Sequence, residues 1–593
     1  MVGVRIEEEE RPAVLNRRAS MSDAAPWVLT LTAGVICYGL FFNRGLGLSV
    51  IGYSIAPAER VMQGEVPYRD FLFNYTPGVL WVNALLMKAL GATLMTTRIG
   101  LLAFKLVTLL VLFGLARRLT SGRAALVPVA LTLAWLGHQQ IFNVYPDQYL
   151  LLFALAGLGC MLNYDETDKV RWLLLCGLAT GGVFVFKYNV GVLLLGSGAL
   201  AIVLRESMIT RRISGAAKRV AVYVIGFAAA AAVLIAYLVY NHAFDAMITH
   251  FLHHAAEYSE TRSTTLPPAG LVLPAALASL AAIMTGVIVR LQAAQFFQAY
   301  LIAVIAIGSV IILAPARAAG LGESAIAAVA YFPPLVFAAA LGLGIWQLAK
   351  TERNSSSWWR DNGATTIVGL FAFAVYLEVF PRADFYHLVR VLPPVFLFFF
   401  ALLVRGWPLL KRHLAGSISS PDRAALLVVS APLVFLLLAG VQDSWAPQLD
   451  SGLHFIDNRE LTIERARGIF VEERQAELTE GLVGLIENNS SPEDYIFSFA
   501  QRGSALYFLA ARRNPTRFLW WRSVGISGEE REAVMTMIRN RRPKLIVIQD
   551  VAANKETQDF IGENYDHIGT VVDIAVYGLR KPNDAAGDKL TAN

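Results

Sequence analysis

Charge is what this sequence has least of. Of its 593 residues 16% are Asp, Glu, Lys or Arg and 56% are apolar, where a soluble domain carries roughly 25% charged residues. The shortfall is uneven. Residues 1–444 hold 33 basic and 23 acidic residues, about 13% together, whereas residues 445–593 hold 18 and 22, about 27%. A wholly water-facing enzyme, a disordered chain and a single-span receptor are thereby excluded, leaving a polytopic membrane protein with a globular tail. Cysteine is nearly absent as well. Cys37, Cys160 and Cys176 all sit in apolar runs and none falls in the tail, so no disulfide framework is expected. Residues 1–25 mix Glu7–Glu10 with Arg5, Arg11, Arg17 and Arg18 and lack an apolar core, so they do not read as a signal peptide. The pI near 9.1 would suit a nucleic-acid partner, yet the basic surplus belongs to the apolar part, whose short loops normally carry it. No nucleic-acid partner is expected.

What the sequence does have is long apolar runs. Each crossing needs roughly 20 mainly apolar residues, and thirteen stretches qualify, near 27–46, 97–116, 124–141, 147–163, 171–186, 188–204, 219–240, 269–289, 295–314, 325–348, 365–380, 388–404 and 424–442. Basic clusters orient them. Arg117, Arg118 and Arg123 follow the second stretch, Arg205 to Arg219 the sixth, Lys350 to Arg360 the tenth, and Arg405 to Arg412 the twelfth. All follow even-numbered spans, so they share the cytoplasmic side with the N-terminus, and an odd count puts the tail outside. The domains expected are a cytoplasmic extension (1–26), a transmembrane domain (27–444) and an external domain (445–593).

The first outer loop, 47–96, is far longer than a connector needs to be. Its stretches Ala58–Gly64 and Gly78–Leu90 read as helices lying in the interface; the alternative, that 76–94 is itself a span, would put the basic loops outside. In the tail, helix is expected over Arg465–Asn488, Gly503–Arg512 and Glu529–Arg541. Strand is expected over Tyr495–Ala500, Lys544–Gln549, Gly569–Ile574 and Val576–Leu579, a small α/β layer without a phosphate-binding glycine loop.

Ionisable groups near a bilayer are costly unless paired or functional. On the outer side they gather at four places. The first loop carries Glu59, Arg60, Glu65, Arg69 and Asp70; the second carries His138 and Asp147. Lys187 breaks the turn between spans five and six, and Glu378, Arg382, Asp384 and His387 lie between spans eleven and twelve. Each also has a plainer reading. Arg69 and Asp70 can staple their own loop, Asp147 can cap the helix it opens, Lys187 can reach the headgroups, and Arg382, Asp384 and His387 can anchor a helix at the interface. His250, His253, His254 and Glu257 lack the spacing of a metal site.

Taken together these segments resemble the GT-C superfamily of membrane glycosyltransferases, near its bacterial branches of dolichyl-phosphate-mannose protein mannosyltransferase-like and aminoarabinose-transferase-like proteins. The resemblance rests on Gly64-Glu-Val-Pro-Tyr-Arg-Asp-Phe71 running into Tyr75-Thr-Pro-Gly78, with Asp147, Lys187 and Arg382-Ala-Asp-Phe-Tyr-His-Leu388 at matching positions. In the tail it rests on Glu493–Phe499, Tyr507–Arg512 and Pro543–Ile548. One departure stands out: many relatives carry an acidic pair just after span one, whereas here Leu48–Tyr53 has no carboxylate. The resemblance implies an inverting transfer of a sugar from a polyprenyl-phosphate donor to an envelope acceptor (glycolipid, polysaccharide or protein) at the outer face of the cytoplasmic membrane. It makes Asp70, then Glu59 and Asp147, the candidate bases. Arg69, Lys187 and Arg382 become candidates for the donor phosphate, and Tyr68, Tyr75, Asp384 and His387 for shaping the acceptor side. A lipid monophosphate leaving group needs no metal, although Mg or Mn would be compatible with it. The competing readings are a secondary transporter or lipid-linked-sugar flippase, and a scaffold with an external interaction tail.

Overall fold

The computed structural model describes residues 24–120, 123–135, 143–209, 213–252, 337, 355–379, 385–414, 458–500, 503–519, 528–549 and 555–580. Helix α1 spans Ala24–Gly39 and ends at a turn into the first loop. A short helical run follows, α2 (Leu48–Val50), a π-turn (Ile51–Ile55) and α3 (Ala56–Met62), and then α4 (Gly78–Leu90). The long helices are α5 (Leu94–Leu119), α7 (Pro146–Thr167), α8 (Arg171–Phe186), α9 (Tyr188–Ile209) and α10 (Ile213–Tyr240), with the shorter α6 (Val127–Trp135) between α5 and α7. Beyond them come α11 (Ser355–Tyr376), which ends in a 3-10 turn at Leu377–Val379, and α12 (Phe385–Leu414).

Nine of the thirteen expected spans meet these helices. Those at 269–289, 295–314 and 424–442 lie outside the described residues, as does 325–348 apart from Phe337. Among the described residues, Leu94–Leu119, Tyr188–Ile209, Gly215–Tyr240 and Ser356–Val379 are each long and apolar enough to cross a bilayer. Large apolar side chains stand exposed along the helix flanks, Val28, Val233 and Leu252 among them, each at least 60% exposed, which fits a surface facing lipid rather than water. Helix α4 has 13 residues and is about 20 Å long, too short for a hydrocarbon core of roughly 30 Å. That length suits a helix lying in the interface better than the expected alternative of a span over 76–94.

The helices pack through small residues. A Cβ on Gly177 would lie 2.0 Å from the Tyr223 carbonyl oxygen, and one on Gly226 would lie 2.2 Å from that of Leu174. Only glycine lets α8 and α10 approach so closely. The Tyr223 hydroxyl ties the pair to α9 by donating to the Leu194 carbonyl at 3.0 Å.

Two ionic layers bracket the bundle. At one level sit Asp147, Lys187 and Glu378; at the other are Tyr164, Asp165, Arg205, Glu206, Arg219 and Trp359. In that second layer Arg205 bonds Asp165 at 3.0 Å and Glu206 at 2.7 Å, and Trp359 Nε1 donates to Asp165 at 2.7 Å. Asp147 to Asp165 and Lys187 to Arg205 are each 18 residues along a helix, about 27 Å of rise. The first layer lies on the face that carries the tail. The second shares its face with Arg117, Arg118 and Arg123, the basic residues that the sequence assigns to the cytoplasm.

The tail begins with the antiparallel pair β1 (Asn458–Glu460) and β2 (Phe470–Glu472) and continues with helix α13 (Glu473–Asn489). Helix was expected from Arg465 onward. It starts at Glu473 instead because Gly468 adopts φ +83, and the apolar run behind that turn pairs with β1. Strand β3 (Ile496–Ser498), helices α14 (Ser504–Leu509) and α15 (Gly528–Arg541), strand β4 (Leu545–Gln549), helix α16 (Lys555–Asn564) and strands β5 (Tyr565–Val571) and β6 (Ile574–Leu579) complete it. The sheet runs β3-β4-β6-β5, with β3 and β4 parallel and the other pairs antiparallel. The last hairpin turns at Val572, whose φ is +57, two residues earlier than the expected strand boundary.

The tail is docked onto the first loop. Phe470 N–H donates to the Asn43 carbonyl and Gly45 N–H to that of Phe470, both at 2.9 Å, and Leu72 N–H donates to the Arg517 carbonyl at 2.8 Å. Helix α14 lies so close to the π-turn that a Cβ on Gly52 would fall 1.9 Å from Ser504 Oγ.

Candidate active site

Three helix ends and one helix interior converge on the tail face. Helix α7 opens at Pro146-Asp147, where proline suits the first helical position. Lys187 is the extended residue that breaks the chain between α8 and α9. Glu378 lies in the 3-10 turn closing α11, and Arg390 stands inside α12. All four are less than 9% exposed. Lys187 Nζ donates to Asp147 Oδ1 at 2.7 Å and also to Glu378 Oε1. Arg390 donates to Asp147 Oδ2 at 3.0 Å, and Asn189 Nδ2 to Glu378 Oε2 at 3.0 Å. Two cations and two carboxylates thus neutralise each other out of water, where each alone would cost several kcal/mol.

Aromatic rings wall this cluster. Lys187 Nζ stands 4.7 Å from the Tyr75 ring centre and the Arg390 guanidinium 4.1 Å from that of Tyr145, both inside cation–π range. Tyr53 packs edge-on against Tyr75 at 5.7 Å and beside Tyr145 at 6.1 Å. Where relatives of the resembled family place carboxylates after the first span, this chain therefore turns a tyrosine toward the cluster. His387, half-buried one turn before Arg390, lies within electrostatic reach of Asp147 and Glu378.

Asp147, Lys187, Tyr75 and His387, four of the residues singled out from the sequence, are thus gathered here. The other described candidates stand elsewhere. Asp70 accepts from Arg69 at 2.9 and 2.8 Å and from the Val66 N–H at 2.7 Å. It closes the turn in which Tyr68 adopts φ +69, a costly conformation for a bulky residue. The Arg69 guanidinium and the Val66 N–H hold the Asp70 carboxyl below the usual carboxylate range, against the pull of partial burial. Tyr68 is fully buried, and its hydroxyl donates to the Tyr75 carbonyl. Glu59 pairs with Arg465 of the tail at 2.6 Å; burial pushes its carboxyl up, and Arg465 opposes the rise. Arg382 and Asp384 lie outside the described residues, as do His253, His254 and Glu257, while His250 bonds Asn74 at 3.0 Å. Among the described residues no cluster of three or more His, Cys, Asp or Glu is placed to hold a metal ion. Glu378, one of the outer charges in the sequence but with no role assigned there, and Arg390, not among them, complete the cluster. The available signal for Arg390 was a lone arginine inside an apolar run.

The architecture, apolar helices first and a small sheet last, suits a multi-pass membrane protein. Residues 74–236 match the family model of dolichyl-phosphate-mannose-protein mannosyltransferase, a stretch that includes Tyr75, Tyr145, Asp147, Lys187 and Asn189. Among solved structures the chain is similar to ArnT from Cupriavidus metallidurans bound to undecaprenyl phosphate, at 16% identity and a TM-score of 0.52. That likeness covers 94% of this chain and 98% of the other. The apo form of the same protein aligns over 93% and 98% at 14% identity and a TM-score of 0.47. No curated protein matches the chain by sequence. The likeness to the GT-C superfamily read from the sequence thus holds both in the family model and in the fold.

Proposed function

We propose that this protein transfers a sugar from a polyprenyl-phosphate donor to an envelope acceptor at the tail face of the membrane, with inversion at the anomeric carbon. The observation that carries the reading is the buried Lys187–Asp147–Glu378–Arg390 cluster at the mouth of a GT-C-type bundle. In the transfer the acceptor oxygen bonds to the anomeric carbon as the bond from that carbon to the phosphate oxygen breaks. The electron pair stays on the lipid phosphate, and the acceptor proton passes to a carboxylate. Lys187 and Arg390 supply the positive charge that the leaving phosphate needs, in a site where water does not weaken it. Glu378 answers to one cation where Asp147 answers to two, so Glu378 is the carboxylate freer to take the proton, and Asp147 holds both cations in place. Tyr53, Tyr75 and Tyr145 offer flat faces for a sugar ring. Asp70 and Arg69 then serve the first loop rather than the reaction.

The tail face is read as the outer one, because the opposite face carries the clustered arginines. The inner (cytoplasmic) membrane, with the N-terminus inside, is the location that follows. The test is sugar transfer from a radiolabelled lipid-linked pool to envelope material by the purified, reconstituted protein. Glu378→Gln and Asp147→Asn are each expected to lower transfer by about 10² to 10⁴. Wild-type rates in both would refute the assignment. Movement of lipid-linked sugar across vesicles without transfer would favour a flippase instead.

A further inference from the structure

Lys105 lies two helical turns below Arg98 on α5, deep within a helix long and apolar enough to cross the bilayer, and is 4% exposed. Its Nζ donates to Gln148 Oε1 at 2.6 Å and stands 5.5 Å from the Tyr38 ring. Both partners are uncharged; among the described residues no carboxylate pairs with it. A cavity of about 20 Å³ opens beside the ammonium, lined by Tyr38, Thr108, Thr132, Gln148 and Pro393, with room for one water. Thr132 Oγ1 is buried there without a hydrogen-bond partner among the described residues. Gln148 follows Asp147, Pro393 lies one turn beyond Arg390, and Arg390 is within electrostatic reach of Lys105. The lysine therefore underlies the cluster already described.

The charges of that cluster do not balance once Lys105 is included. Among the described residues Lys187 and Arg390 cancel Asp147 and Glu378, so a protonated Lys105 adds a positive charge with no described carboxylate beside it. A buried cation with neutral partners is expensive in a membrane and marks a functional position. We infer that Lys105 is the counter-charge for the phosphate of the lipid-linked donor, a cation beneath the site whose excess charge the arriving headgroup neutralises. This rests on the transferase reading and deepens it. Lys105 acts as a positioning residue through the field it sets up and through Gln148, without touching the reacting atoms.

The test is binding of undecaprenyl phosphate to the purified full-length protein in detergent, followed by the thermal midpoint across a lipid titration, with undecaprenol and inorganic phosphate as controls. Lys105→Met is expected to weaken undecaprenyl phosphate about tenfold, the order of one unit-charge interaction at an effective dielectric near 20. Lys105→Arg should restore most of the affinity. Gln148→Glu gives the lysine a resident anion, so the unliganded protein should melt higher while the lipid binds more weakly, an effect no loss of folding imitates. Wild-type affinity in both Lys105→Met and Gln148→Glu overturns the inference alone. No response of the wild-type protein to undecaprenyl phosphate overturns the transferase reading itself. Equal binding of undecaprenol shows that the phosphate is not what is recognised, and millimolar inorganic phosphate displacing the lipid fully would assign the site to free phosphate; either result overturns the inference.

Discussion

Replacing Lys187 by methionine removes the ammonium that joins Asp147 to Glu378 while keeping most of the side-chain volume. The side chains of Lys187, Asp147 and Glu378 are 4%, 4% and 6% exposed, so water cannot take the place of the lost charge. Asp147 keeps Arg390, but among the described residues Glu378 keeps a hydrogen bond from the Asn189 amide at 3.0 Å and His387 within electrostatic reach. Breaking a buried pair from one side costs about 3–5 kcal/mol, chiefly through the stranded charge. The double variant Lys187→Met/Glu378→Gln strands nothing and should regain all but about 1–2 kcal/mol of that loss, a strong positive coupling for residues in contact. The measurement is the thermal midpoint of the purified protein in detergent, followed by tryptophan fluorescence, with sugar transfer assayed in parallel. Stability is expected to fall sharply in the single variant and to return in the double variant, while transfer is absent in both. A single variant that melts with the wild type would refute the claim that the carboxylates depend on the lysine. A double variant as unstable as the single would refute the charge-balance argument.

Three further outcomes follow from contacts in the first loop. Gly52→Ala drives a methyl group into Ser504, whose Cβ would lie 2.5 Å away and carbonyl carbon 3.0 Å. It should cost about 1–3 kcal/mol and make the tail more protease-sensitive, and Ser504→Gly should recover only part because the backbone clash remains. Arg465→Ala leaves Glu59 buried without its cation, at a cost of about 2–3 kcal/mol; unchanged proteolysis of the tail would show that this pair does not hold it. Asp70 has a carboxyl value depressed in the folded chain, so its stabilisation of the loop is present above the ordinary value near 4 and is lost as pH falls through the folded one. The intrinsic amide rate itself falls from pH 5 to a minimum at about pH 3, so exchange over residues 64–76 should slow less than that intrinsic rate as the pH is lowered, and Asp70→Asn should abolish that difference with transfer kept within about threefold. A hundredfold loss of transfer would instead make Asp70 the base.

Much of the architecture was legible because apolar length and basic-loop bias act locally along the chain. The tail's order of helix and strand was legible for the same reason, and its misplaced boundaries fall at Gly468 and Val572, where a left-handed residue turns the chain. The site was only half legible. Asp147 and Lys187 interrupt apolar runs at helix ends, so their cost is visible in one dimension. Arg390 lies within an expected span, and its purpose appears only when α12 is set beside α7. Asp70 drew attention as the charged centre of a motif, but a neighbour one residue away already answers its charge. No local pattern separates a carboxylate that staples a turn from one that awaits a proton.

The two ionic layers also make the bundle a gauge of the membrane around it. Helices pinned at both ends cannot shorten, and a spacing of about 27 Å is slightly less than the average hydrocarbon thickness of roughly 30 Å. A thicker bilayer would have to thin locally around the protein or submerge the upper layer beneath its headgroups. On the proposed transferase reading, a matched bilayer would set the cluster near the level of the headgroups, so a long-chain carrier would present its phosphate without leaving its leaflet. Acyl-chain length in the host membrane then becomes a variable of turnover, acting on the depth of the site and not on its chemistry.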